Sequence, residues 1–449
     1  MKDNTSKVMF TGRELSAIII PVFIEQLLLI LVGIADTLVI SYAGEAAVSG
    51  VSLINQFNTI FIYLFTALAS GGAVIISQYI GAENREKANR SSGQLLTFSI
   101  LFSLALGLFI LLGNRRILSL MFSKVEPAVM DACVTYLRIS AYSYPMLAIY
   151  NAGASMYRSM GKTSVTMYIS VVANLVNIAG NCIGVFLLHA GVAGVAWPSM
   201  IARTLSAVWI TILCFGRRQE CFYERKHILC LDGSILKRIL RVALPNGIEM
   251  GIFQFVKVAL SGIVALFGTY QIAANGVAQS IWSLAALSGV AMGPVFITII
   301  GQCMGKGDSK EAEGYFGKLI KITLLVSAFW NLVTLLGTPL FLKAYVLSPE
   351  TKKLIISLVI LHNIFNTLAF PFAGALGNGL RAAGDVKYTM YVSIFTTVCV
   401  RLLLSWIFAM VFQMGVMGVA WAMCMDWTVR GILQYRRLKS GRWKAFRLI

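Results

Sequence analysis

The sequence predicts an all-α polytopic membrane protein, with twelve transmembrane helices in two six-helix bundles related by a pseudo-two-fold axis along the membrane normal. Three observations lead there. The 449 residues are 58% hydrophobic and only 13% charged, with a mean hydropathy of +0.78, whereas a soluble domain carries about a quarter of its residues as charges. The apolar residues fall into runs long enough to cross a hydrocarbon core of about 30 Å. The first half of the chain then recurs in the second.

Between polar turns the apolar runs are 16–42, 50–80, 93–113, 133–156, 165–188, 192–215, 240–267, 273–303, 316–338, 354–380, 388–412 and 415–435. The first follows a polar start, MKDNTSKVMFTGRE, and no A-x-A-like cleavage site follows it, so it reads as a retained helix and not a signal peptide. Several runs exceed 25 residues and should tilt, kink or protrude into water. The segment 216–239 is the only long hydrophilic stretch. It divides the chain into an N-terminal bundle (1–215), a connecting loop (216–239) and a C-terminal bundle with a basic tail (240–449).

The formal charge of +19 is a topology signal. With both termini on one side of the membrane, that side holds 28 of the 38 Lys and Arg residues and the other side holds 6. Four remain within spans: Arg138, Arg203, Lys257 and Arg401. Basic residues are retained on the cytoplasmic side, so both termini are expected in the cytoplasm of a plasma-membrane protein. The polybasic tail, Arg436 to Arg447, suits anionic lipid headgroups. This pattern makes nucleic acid an unsuitable partner. The eight Cys residues form no CxxC pair and the three His residues make no cluster, so metal chemistry and a membrane-embedded enzyme lack support. Gly-rich patches such as GLRAAGD have neither the strand–loop–helix context nor the Lys-Ser/Thr ending of a P-loop. No organic cofactor is expected, and an ion gradient or the substrate's own gradient must supply the energy.

Shifting the sequence by 224 residues aligns PVFIE (21–25) with PNGIE (245–249), Gln78 and Gly81 with Gln302 and Gly305, and GVAGVAW (191–197) with GVMGVAW (415–421). Arg158 to Gly161 and Arg381 to Gly384 match at a shift of 223. Each copy spans an even number of helices, so the copies share one orientation. A central cavity between two such bundles, opened alternately by rocking, suits a monomeric secondary transporter better than a channel.

Charges inside spans are costly, about 3 kcal/mol on insertion scales. The acidic candidates are Glu25 and Asp36 in the first span, Glu249 in the seventh and Asp426 in the twelfth. Asp36 lies about 15 Å along its helix from Glu25, in the outer half of the bundle. Asn174, Asn177 and Asn181 share one face of the fifth span. This polar group could hold a proton or coordinate Na+ at Asp36 and Asn177. The alternatives are that the Asn residues join helices by hydrogen bonds, and that Asp36 pairs with Arg203 or Arg138. Glu25 and Glu249 each stand four residues after a proline, Pro21 and Pro245, and are candidates for polar hinges or for substrate contact. Lys257, two turns after Glu249, is its candidate partner, and Arg430 that of Asp426. Aromatic and Met side chains are abundant, among them Trp282, Phe253 and Met292, but spacing does not select which line a cavity.

The stretch 21–56, SQYIGAENREKA (77–88), the paired RSMGK and LRAAGD turns and GVAGVAW together resemble the multidrug and toxic compound extrusion (MATE) family over essentially the whole chain. The resemblance implies efflux of small organic, often cationic compounds in exchange for H+ or Na+. It also implies a cation site at Asp36, Asn177, Asn181 and, in the sixth span, Ser199. Some members of the family carry acidic residues in spans 7 and 10, where this chain has Phe253 and Phe370. That departure shifts the weight of ion coupling to Asp36. A flippase for lipid-linked oligosaccharides, from the same broad superfamily, is the alternative. It would be expected to have more helices and a cationic cavity.

Overall fold

The computed structural model describes residues 9–122, 125–228, 231–343, 345 and 347–449. Lys2, Lys7 and Lys124 of the charge pattern, and Cys230, lie outside them. The N-terminal bundle is built from α1 (Gly12–Ser41), α2 (Glu45–Gly81), α3 (Arg85–Met121), α4 (Pro127–Ser159), α5 (Thr163–Cys182, running on as Ile183–Leu187) and α6 (Ala193–Cys214). The C-terminal bundle repeats the order with α7 (Gly233–Val264) and α8 (Thr269–Ala285, then Leu287–Gly305). It continues with α9 (Ser309–Lys343), α10 (Pro349–Leu368, then Pro371–Ala375 and Leu376–Ala382), α11 (Val386–Phe395 through to Ile407–Val411) and α12 (Val416–Lys439).

Helix starts follow the local sequence. Thr11 and Glu14 form a reciprocal capping box on α1, Asn84 caps α3, and Asp232 caps α7. Pro127 and Pro349 occupy first turns, where a missing N–H costs nothing. Among the described residues, nine helices are apolar and long enough to cross a membrane, or ten if bent α10 counts as one span. The others reach the twelve with a more polar composition. In α4, Ser140, Ser143 and Tyr144 are buried inside the bundle, where they need partners and not lipid.

Some runs expected as continuous helices are not straight. Two parts of α10 meet at 50°, just before Pro371, whose missing N–H and ring interrupt the ladder. The π-helical turns Ile183–Leu187 and Ile407–Val411 occupy equivalent places at the 224 shift. A further π-helical segment, Thr396–Leu402, has no counterpart in α5. Wider turns absorb extra residues, and this segment takes up the one residue by which the shift grows from 223 to 224.

The two bundles meet at the end that carries the connecting loop. There α2 packs on α7 and the second part of α8, and α1 packs on α8. Val74, Ile75, Ile299 and Ile300 are fully buried in the seam and share one apolar core. A Cβ at Gly81 would overlap the Gln302 carbonyl, and one at Gly305 the Gln78 carbonyl. Glycine is therefore required at both places for the backbones to approach so closely.

Candidate polar site of the N-terminal bundle

The outer half of the N-terminal bundle places a single carboxylate beside the amides of α5. Asn181 Nδ2 donates to Asp36 Oδ1 at 2.6 Å and to Asn177 Oδ1 at 3.2 Å. Turning the Asn177 amide over lets its nitrogen donate to Asp36 at 2.9 Å while its oxygen accepts from Ser199 Oγ at 2.9 Å. That orientation satisfies both ends of the amide and replaces the Asn181–Asn177 bond. Asn177 and Asn181 are buried and Asp36 is half-buried. One carboxylate, two amides and a hydroxyl form an oxygen-rich cluster of the kind that suits a proton or a hard cation.

Four of the five candidates (Asp36, Asn177, Asn181 and Ser199) come together. Asn174 does not, since its Nδ2 is buried without a partner and it joins none of these bonds. The charge of Arg203 acts on Asp36, but no ion pair forms between them among the described residues. Arg203 Nη1 instead donates to Ser143 Oγ at 2.6 Å. Arg138 is exposed and makes no ion pair with Asp36 among the described residues.

A second polar group, between α2 and α4, was not singled out from the sequence. Tyr144 donates to Asn58 Oδ1 at 2.7 Å, Asn58 donates to Ser140 Oγ at 3.2 Å, and Tyr136 donates to Asn55 Oδ1 at 3.2 Å. The signal was present as a polar stripe, with Tyr136, Ser140, Ser143 and Tyr144 at helical spacing on α4 facing Asn55 and Asn58 on α2.

The two glutamates sit elsewhere. Glu25 is buried and accepts from Arg158 at 2.6 Å, Thr166 Oγ1 at 3.0 Å and Tyr150 at 3.3 Å. Glu249 accepts two bonds from Arg381, at 2.7 and 2.8 Å. Arg158 and Arg381 are themselves repeat equivalents, so each bundle carries the same internal α1–α4 or α7–α10 ion pair. Lys257 is therefore not the partner of Glu249: the planar Arg381 fork, arriving from α10, takes both carboxylate oxygens. α1 and α7 run as continuous helices through Pro21 and Pro245.

Comparison with known proteins finds relatives for most of the chain. The model of the MatE family matches residues 21–183 and again 245–407, two matches offset by the 224-residue repeat. An uncharacterized transporter of Bacillus subtilis, YisQ, is 25% identical, with 94% of this chain and 93% of the relative covered. The probable multidrug resistance protein NorM of Thermotoga maritima is also 25% identical, covering 96% and 93%. A multidrug resistance MATE family transporter of the MOP superfamily, solved in an outward-facing conformation, superposes with a TM-score of 0.86 at 21% identity. That superposition covers 95% of this chain and 96% of the other, a likeness of fold.

Proposed function

The chain belongs to the MatE family, and from that premise we propose that it is a secondary active multidrug efflux transporter. It exchanges small organic, often cationic compounds for H+ or Na+ by alternating access, in a plasma membrane with both termini in the cytoplasm. The observation that carries this reading is Asp36, hydrogen-bonded by Asn181 at 2.6 Å and free of an ion pair among the described residues. The similarity to a multidrug resistance protein supports the substrate class.

In this reading Asp36 is charged when unoccupied, and a charged carboxylate resists enclosure by low-dielectric surroundings. A proton or Na+ arriving from the side opposite the connecting loop neutralises it. Asn177, Asn181 and Ser199 supply neutral oxygens around the bound ion. Neutralisation removes the penalty for closing the bundles over the site, so they rock and open at the loop end. Ion and cationic substrate compete for one negative charge, which makes their occupancy exclusive and couples the two fluxes.

Asp36→Asn is expected to abolish ion-driven efflux while membrane expression stays intact. Energised vesicles tested first with a pH gradient and then with a Na+ gradient identify the ion. Full drug export by the Asn variant under either gradient would sink the coupling reading.

A further inference from the structure

The extra π-helical segment Thr396–Leu402 sets the later part of α11 in the 224 register. Arg401 then stands where α5 has Asn177, Ser405 where it has Asn181, and Leu260 where α1 has Asp36. The place equivalent to the N-terminal carboxylate site is thus basic.

Its charges do not cancel. Arg401 is 8% exposed and lies 3.8 Å from Asp426. Asp426 already accepts from Arg430 at 2.8 and 3.1 Å, and Arg430 is completed by the Thr396 and Thr397 hydroxyls. Lys257 makes no ion pair among the described residues, and the charge that acts on it is that of Arg401. Glu249 is held by Arg381. Among the described residues, Asp426 is thus shared by Arg401 and Arg430, while the exposed Lys257 of the same bundle has no carboxylate partner.

Hydrogen bonding shows the same imbalance. Arg401 Nε, Trp282 Nε1 and both ring nitrogens of His362 are buried with no partner. Aromatic rings lie beside them: the Arg401 guanidinium is 5.1 Å from the ring centre of partly exposed Phe253, and partly exposed Trp282 stacks on buried Trp427 at 5.8 Å. A cluster that served only structure would pair its buried cations and donors. This one has surplus positive charge and unused donors next to flat apolar rings.

We propose that this part of the C-terminal bundle binds the anionic group of an aromatic substrate, with Arg401 and Lys257 receiving a carboxylate and the ring surface receiving the aromatic body. The proposal rests on the export reading above and names a substrate class for it. It adds anionic aromatic compounds to the cationic ones that Asp36 attracts.

Dansylglycine, dansylglycinamide and dansylcadaverine carry one fluorophore with negative, neutral and positive side arms. Energy transfer from the protein's tryptophans reports their binding to the purified full chain in detergent. The wild type is expected to prefer dansylglycine over the amide by about tenfold or more, as charge-assisted bonds imply. Lys257→Gln and Arg401→Gln should abolish that preference while eluting and melting as folded protein. Equal binding of anion and amide by the wild type, or a preference that survives in the folded variants, overturns the proposal. Should Arg401→Gln fail to fold, Lys257→Gln decides alone, because that side chain is exposed and unpaired. Uptake of the three probes into proteoliposomes separates the two readings. Absence of any transport with the binding preference intact removes the export function and leaves the site.

Discussion

Gln78 and Gln302 stand at equivalent places in the two halves, and each donates its side-chain amide across the seam to the opposite bundle. Gln78 reaches the Ala382 carbonyl and Gln302 the Ser159 carbonyl, both at 2.7 Å. Ala382 and Ser159 are themselves repeat equivalents. The reciprocal pair closes the loop end of the molecule.

Breaking this latch should shift the population towards opening at the loop end. Each neutral hydrogen bond is worth about 1 kcal/mol net, so Gln78→Ala with Gln302→Ala is expected to move the equilibrium by roughly tenfold or more. Spin labels placed across the seam should show a second, longer distance that the wild type lacks. Gly305→Leu should act more strongly, because its side chain would overlap the Gln78 carbonyl. An unchanged distance distribution in both variants counts against the latch.

The N-terminal network predicts unequal effects along one face of α5. Asn181→Ala removes the 2.6 Å bond to Asp36, and a bond to a charged group is worth about 1.5–3 kcal/mol. Ion affinity measured by gradient-driven transport should change by tenfold or more. Asn174→Ala, about two turns away and outside the network, should stay within about twofold of wild type. Equal losses at both positions would mean that the whole Asn face acts as helix glue.

The two internal ion pairs predict stability effects. Removing one partner of a buried pair costs about 3–5 kcal/mol, because the other charge is stranded. Glu249→Gln and Arg158→Gln should therefore melt well below the wild type in a thermal scan of the detergent-purified protein. Lys257→Gln should not, since Glu249 bonds to Arg381 instead. A large loss of melting temperature in Lys257→Gln would restore the Glu249–Lys257 pairing.

Asp232 joins the connecting loop to α7, outside the membrane. Bonds from Ser234, then the nearby Arg90 charge, hold its carboxyl below the usual range. A lowered pKa adds stability that is complete above the unfolded value of about 3.9 and is lost as pH falls through the lower folded value. Asp232→Ala should cost about 1 kcal/mol at pH 7 through loss of the cap. The difference from wild type should fade when the pH is taken from 7 down through that lowered folded value. Limited proteolysis of the loop at the two ends of that range measures it, and a pH-independent difference would assign the effect to packing.

The sequence by itself determined the architecture and its repeat. Hydrophobic runs report burial in lipid directly, and a shift of 224 residues is visible without coordinates. It also picked out Asp36, because a carboxylate within an apolar run is conspicuous whatever surrounds it. Only the tertiary structure decided partners. Arg381 took Glu249 from Lys257 because α10 approaches α7 from across the bundle, a contact between residues 132 positions apart that helix periodicity does not encode. Asn174 left its two neighbours for the same reason, since a shared helix face does not fix what lies opposite each residue. The basic counterpart of the Asn177 position came into register at Arg401 only through a π-helical insertion, which is a property of the backbone and not of the residue pattern.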